Sequence, residues 1–581
     1  MRLVWVLIGL TPVFAAKTSD EPQILHALNR LTWGPRPRDV DAVSKVGLSH
    51  WIDQQLHPET ITENPTLLEK LATLDTLNLS QTELAARYPS PQAIRAMAEG
   101  RTPWPTDLQT RAVVQRMAER QKAKKAGKDS NITVPRRALT EKPEEFVATL
   151  EAMTTEERIA TLQGLTEGAL RRLYPVASPG LRRRIQMFNG PKQVVSQDLV
   201  QARLVRAVYS NRQLEDVLAD FWFNHFNVYL DKGADRFLVT AYERDVIRPR
   251  VLGKFHDLLL ATAQSPAMLF YLDNWQSTGP GAKPKGKRAG LNENYGRELM
   301  ELHTLGVDGG YTQQDVTEVA RCFTGWTIRD VKSGGEFFFN PRTHDIGEKH
   351  VLGFTIAGGG GMQDGLKVLD ILARQPSTAR FISRKLAERF VADDPPAALL
   401  DRMAKAFLVS DGDLRVVMTT MIAAPEFRDP ANFRTRVKSP LELVASAIRA
   451  TGADIDYALS LATTLTQMGE PLYRKAEPTG YPNRGVEWMN SASLVARMNF
   501  AGALTSGSLA GVTLDAKSLP DTDNELARAL LGGPASAATR AAILSSRPGG
   551  ADDGTLTDNL DAGAARRAAG ILIGSPEFQR K

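Results

Sequence analysis

Apolar residues recur at three- and four-residue intervals through FVATLEAM, EERIATLQGL, QDLVQARLVRAVYS and LEDVLADFWFNHFNVYL, with short polar breaks between them. Wound as helices, these segments each carry one apolar stripe, and they predict consecutive helices packed on a shared core. The same period returns in LKVLDILAR, TARFISRKLAERFVA, LLDRMAKAFLV, LRVVMTTMIAA and LELVASAIRATG. Near the start, EPQILHALNRLTWGPRPRDVDAVSKVGLSHWIDQQL has helical spacing broken where Pro35 and Pro37 disfavour helix. Strand signals are confined to GEFFFN (335–340) and KHVLGFTI (349–356), which flank the polar turn PRTHDIGE and predict one β-hairpin. The expected fold class is mainly α: a multi-helix domain with a small β-hairpin insertion.

The breaks suggest an order of segments. Residues 1–16 read as a signal peptide, 17–75 as an N-terminal helical unit and 76–145 as a charged insertion or arm. Residues 146–506 form the main helical domain, with the hairpin near 335–356, and 507–581 form a Gly/Ala-rich C-terminal helical tail. In MRLVWVLIGLTPVFAAKTSD a positive charge at Arg2 precedes an apolar run from Leu3 to Leu10, a breaker at Pro12 and small residues at Ala15 and Ala16. That order is the pattern of a secretory signal, with cleavage expected after Ala15 or Ala16. The run is well short of the roughly 20 residues needed to span a bilayer, and no later segment is apolar for long enough. The expectation is a soluble periplasmic or secreted protein without a transmembrane segment.

Composition narrows the chemistry. Cys322 is the only cysteine, so neither an intramolecular disulfide nor a thiolate metal cage can form, and its place in VARCF suits a buried thiol. Lys and Arg number 72 against 66 Asp and Glu. The visible basic runs, RQKAKKAGK (120–128) and KPKGKR (283–288), lack interleaved aromatics and read as solvated loops, so no nucleic-acid partner is expected. There is no G-x-S-x-G elbow, Walker loop, H-E-x-x-H or dinucleotide fingerprint.

The densest polar pattern is NENYGRELMELHTLGVDGGYTQQDVTEVARCFTGW (292–326). On a helix, Glu293, Asn294, Arg297, Glu298 and Glu301 share one stripe, while Tyr295, Leu299, Met300, Leu302 and His303 fill the other side. Two readings stand: a solvated stripe of Glu293–Arg297–Glu301 ion pairs, or a site with Glu298 as the catalytic group and Asn294, Arg297 and Glu301 as binding groups. His303 points away, so a Glu-x-x-His metal pair is absent. Glycines in GVDGGY and a Thr312–Asp315 cap predict a tight return into a second helix. His225 falls on an apolar face, as a core histidine or as a catalytic candidate, while Asp220, Asn224, Asn227 and Asp231 on the opposite register could line a polar cleft. In the turn FNPRTHDIGEKH, His344 and Asp345 form a candidate acid–base pair, with Arg342 beside them as a binding candidate.

Taken with HALNRLTWGPRPRDV, FWFNHFNVYLDKG, RTHDIGEKHVLG, SDGDLR, PEFR, VKSPLELV and GYPNRGVEWMN, the 292–326 stretch resembles the bacterial family catalogued as domain of unknown function 1800. The resemblance implies export and a gene neighbour encoding a secreted, sulfatase-like protein as a candidate partner. It implies no reaction, catalytic assignment, metal or cofactor. Two functional readings follow: an exported enzyme, a metal-dependent hydrolase among the options, acting on an envelope or extracellular substrate, or a noncatalytic scaffold or partner of another secreted protein. In the enzyme reading, the Glu298 face, the His225 helix and the His344 turn are expected to border one cleft.

Overall fold

The computed structural model describes residues 21–89, 91–125, 136–189, 191–280, 290–331, 334–547 and 560–581. The expected signal peptide and the basic run 283–288 lie outside these residues. Helices dominate, and among the described residues strands are confined to three two-stranded antiparallel sheets. The chain is mainly α, as its periodicity predicts.

One continuous apolar core runs from Ala27 to Phe578. At its centre lies the helix Pro440–Thr451, every residue of which is buried. Its start is set locally: the Ser439 side chain accepts from the Glu442 N–H, the Glu442 carboxylate accepts from the Ser439 N–H, and Pro440 occupies the first turn. It ends on Gly452, whose φ of 66° suits a left-handed C-cap. Glu442 is thus a capping residue and also a buried charge, which bears on the site below.

A second apolar cluster spans Ala112 to Phe188, so residues on both sides of position 145 share one core. The helix Leu108–Lys125 extends into the first basic run, whose first residues are therefore helical. The C-terminal residues are no appendage. Strand β5 (Asp454–Ile455) pairs with β6 (Val512–Thr513), and the helix Ala562–Gly574 packs on Ser491–Ser506. The last residues dock beside Val437: the Lys438 N–H donates to the Gln579 carbonyl and the Lys581 N–H to the Arg436 carbonyl, both at 2.8 Å.

The single expected hairpin is two. Strand β1 (Trp326–Arg329) pairs with β2 (Glu336–Phe339), Trp326 opposite Phe339, while β3 (Lys349–Val351) pairs with β4 (Phe354–Ile356). The tight turn of the second hairpin falls on Leu352 and Gly353, with φ of 49° and 81°. Two consecutive positive φ values suit a two-residue hairpin turn, and Asp315 fixes it by accepting from the Leu352 N–H at 2.7 Å. PRTHDIGE connects the two hairpins.

The expected helix over 292–305 also changes character. It is α-helical over Asn294–Glu298 and π-helical over Leu299–Thr304, with the Leu305 N–H donating to the Met300 carbonyl at 2.9 Å. The chain then turns at Gly306 and Gly310, φ 85° and 83°, into Gln313–Cys322. The Thr312–Asp315 capping box opens that helix as the sequence predicts.

Candidate functional site

The sequence-derived candidates occupy separate environments. Arg297 lies 3.7 Å from Glu293 and 3.6 Å from Glu301, a half-exposed ladder of the kind that contributes only tenths of a kcal/mol. Glu298 is half-buried, and its carboxyl is raised by burial and by the neighbouring Glu301. Asn294 and Arg342 are exposed. His225 is sealed in the core: its Nε2 faces the His303 carbonyl at 3.1 Å, and burial drives its pKa well below the ordinary value, so the ring is neutral. His303 is held at about 3, by burial and then by the charge of Lys385.

His344 and Asp345 are not an exposed loop pair. The His344 Nδ1 lies 2.7 Å from the Thr324 carbonyl, and its Nε2 lies 3.1 Å from Asp364 Oδ2. Lys349 Nζ approaches the same Asp364 oxygen at 2.6 Å. Asp345 accepts from Arg321 Nε at 2.7 Å; burial opposes its ionisation, but Arg321 and the Gly347 N–H together keep its carboxyl below the usual range. These bonds tie the turn to the end of Gln313–Cys322 and occupy both His344 nitrogens. Among the described residues, the hydrogen-bond partners of His225 and His344 do not include each other or Glu298, so no hydrogen bond joins the three expected candidates.

A polar cleft lies instead along the register opposite His225. Asp220, Asn224 and Asn227 line it, joined by Arg203, Arg389, Glu470, Tyr473 and Trp488. The helix Gln213–His225 presents Asp220 and Asn224 at the four-residue spacing of one face. Asn224 clamps the opposite wall, accepting from the Tyr481 N–H at 2.6 Å and donating to the Tyr481 carbonyl at 2.8 Å. Gly480 makes this approach feasible: its φ is 71°, and an added Cβ would collide with the Asn224 carbonyl oxygen. Asp393 shapes the same segment by accepting from the N–H groups of Gly485 and Val486 and from Arg436 Nε.

Charge is concentrated behind the cleft. The Asp220 carboxyl lies between two guanidinium groups, 3.4 Å from Arg203 Nη1 and 3.5 Å from Arg389 Nη2. Burial keeps this carboxyl above its ordinary value, although the two arginines, Arg203 foremost, pull against it. Arg203 also donates to Glu243 at 3.1 Å and to the Tyr473 hydroxyl at 3.0 Å. Burial disfavours the Glu243 carboxylate, but Arg203, Arg248 and Arg206 overcome it and hold Glu243 at about 2. Arg389 pairs with Glu442, whose other partner is Lys581 at 2.5 Å. Glu470 behaves in the opposite way. It is buried with no ion pair among the described residues, accepting from the Leu441 N–H at 2.7 Å, and burial followed by the charge of Asp220 pushes its carboxyl up to about 8. One cleft therefore holds a carboxylic acid protonated at neutral pH and a second carboxyl whose basicity is raised by burial but whose anion has two arginines beside it. The interior is small, about 40 Å³. That is room for a water molecule.

Some of this is visible in the sequence. Arg203 shares a helical stripe with Val200, Leu204 and Ala207, and Arg389 with Ile382 and Leu386; a guanidinium on an apolar stripe implies a buried counter-charge. Glu470, in the turn MGEPLY, carries no local signal. Among the described residues no group of three His, Cys, Asp or Glu side chains is placed to hold a metal. The chain belongs to the family described as "Protein of unknown function (DUF1800)", whose model matches residues 26–580. No curated protein and no solved structure matches it.

Proposed function

We propose that this DUF1800 chain is exported and acts as a hydrolase on an envelope or extracellular substrate, with Glu470 and Asp220 as its acid–base pair. The observation that carries this reading is the contrast between two carboxyl groups lining one cleft: Glu470 retains its proton near neutrality, while Asp220 is flanked by Arg203 and Arg389. In the step proposed, a water in the cleft gives a proton to Asp220 as its oxygen attacks the substrate, and Glu470 protonates the departing group. Arg203 and Arg389 supply positive charge beside the developing anion. The small interior suits a bound water, with the scissile bond presented at the mouth. A metal-dependent version has no ligand set among the described residues on which to rest.

The test is a panel of chromogenic esters, glycosides, phosphoesters and peptides, followed by Asp220→Asn and Glu470→Gln on whichever is turned over. Each substitution should lower kcat/KM about a hundredfold or more while the protein stays folded. Undiminished turnover in both variants would overturn the assignment. Export is tested by N-terminal sequencing of secreted protein, which should begin at Ala16 or Lys17.

The noncatalytic reading, a scaffold for a secreted partner such as a sulfatase-like neighbour, draws on a specific feature beside the cleft. Val486 and Met489 flank the buried Trp488, and both are about half exposed. Apolar side chains presented together at a surface are what a protein partner covers. Loss of partner binding in Val486→Asp with turnover unchanged would support this second role.

A further inference from the structure

Gly502 lies within the helix Ser491–Ser506, and Gly574 is the last residue of Ala562–Gly574, which packs against it. Glycine weakens a helix relative to alanine and is retained where a Cβ would collide with something. At neither position would it: an added Cβ meets nothing within 4 Å. Gly570 is different, because a Cβ there would lie 2.8 Å from Thr505 Oγ1, and contact between the two helices accounts for it. Gly502 and Gly574 instead border open space, a groove of about 690 Å³ closed on its third side by the helix Ala537–Ser545.

Apart from Met498 and Ile571, the apolar residues lining this groove are small, such as Ala538 and Ala542. Leu494, Val495 and Met498 form one exposed stripe running toward Gly502, although the opposite face of the same helix, Phe500 and Leu504, is already buried in the core. A helix apolar on both faces with only one covered has an unfilled partner position. Arg566 and Arg567 also line the groove, and the Arg566 Nε is buried without a hydrogen-bond partner among the described residues.

We propose that this groove binds a free fatty acid, its chain along Gly502 and Gly574 and its carboxylate on Arg566 and Arg567. The volume lies in the range of small-molecule sites, and small side chains on three helical walls suit a narrow, flexible chain. The two guanidinium groups are the only charges in a site otherwise lined by apolar and hydroxyl-bearing side chains among the described residues, which selects an acid over a neutral or cationic amphiphile. This site is independent of the Asp220–Glu470 cleft.

The test uses the full mature chain and calorimetric titration with octanoate, decanoate and dodecanoate below their micellar concentrations. Affinity should rise about tenfold for every two added carbons, and dodecyltrimethylammonium should bind at least tenfold more weakly than dodecanoate. Gly502→Leu and Gly574→Leu, which project a side chain into open space without meeting the backbone, should each reduce dodecanoate affinity tenfold or more. Arg566→Gln should erase the preference for the acid. Absence of uptake, as for a groove that instead receives a protein helix or is covered by another part of the chain, would overturn the proposal. So would binding to phosphatidylglycerol vesicles without binding of monomeric fatty acid, or unchanged affinity in both leucine variants.

Discussion

Replacing Glu470 by glutamine probes the unusual carboxyl through stability alone, without knowledge of a substrate. The folded protein holds this group at about 8, against 4.5 for an exposed glutamic acid. Between those values the unfolded chain has released its proton while the folded chain keeps it, so the native state binds more protons and stability falls as pH rises. The contribution is fully present below about 4.5 and is lost progressively up to about 8. At about 1.4 kcal/mol per pH unit, the whole loss is about 5 kcal/mol, with no reduction for solvent screening because the group is buried. A glutamine side chain there would be neutral at every pH, has nearly the same shape, and its amide oxygen can still accept from the Leu441 N–H. Urea unfolding of both proteins at half-unit steps from pH 5 to 8.5 should show the wild type losing several kcal/mol relative to E470Q, with the variant more stable at the alkaline end. Parallel curves across that range would mean that Glu470 is ionised in the folded protein, and the acid–base reading of the cleft would lose its proton donor.

Four further outcomes follow from the same geometry. Gly480→Ala should destabilise by more than about 2 kcal/mol in chemical denaturation, because a left-handed backbone and the Asn224 carbonyl oxygen in the path of the new Cβ act together. Asn224→Ala removes both bonds to Tyr481 and should increase amide exchange across 480–485 by at least about tenfold, with the slow-exchanging core unaffected. Lys349→Met leaves the Asp364 carboxylate buried without its ammonium partner and should cost about 3–5 kcal/mol in urea unfolding. Arg297→Ala breaks only half-exposed pairs and should shift stability by less than about 1 kcal/mol, a null result that would confirm the 293–301 ladder as surface chemistry.

What can be read from the sequence follows the range of the interaction that fixes each feature. The Thr312–Asp315 cap, the Arg297 ladder and most helices are decided within four residues and appear where periodicity puts them, whereas the 292–305 segment turns π-helical from Leu299 and Leu108–Lys125 runs on into a stretch that reads as a loop. Sequence misplaces the hairpin pairing because the apolar strands look symmetrical about PRTHDIGE. The decisive feature is the Leu352–Gly353 turn, supported from Asp315 on another element. His344 is misleading for a similar reason. A histidine in a polar turn reads as solvent-facing unless Asp364 and Thr324, each 20 residues away, are known to close over it.

The cleft divides along the same line, and that division bears on function. The Asp220–Asn224–Asn227 register is a local property of one amphipathic segment and is legible as a polar edge. Its chemistry depends on groups brought in from elsewhere in the chain: Arg203, Arg389, Glu470 and the Asn224-clamped 480–482 segment. A polar register alone is compatible with a solvated surface, but two arginines on otherwise apolar stripes are not. Burying them is costly without counter-charges, and the counter-charges present are Asp220, Glu243 and Glu442. If the network served stability alone, the carboxyl groups around it would all be expected to ionise and pair, as Glu243 and Glu442 do. Glu470 breaks that pattern. It is buried among charges yet has a backbone N–H as its hydrogen-bond partner, and it is held as the neutral acid beside a network that ionises Glu243 and Glu442. A hydrophobic residue at 470 would spare the fold that desolvation but would leave the buried Leu441 N–H, in the first turn of Pro440–Thr451, without its acceptor; the neutral acid at this position is the group on which the proposed proton transfer rests.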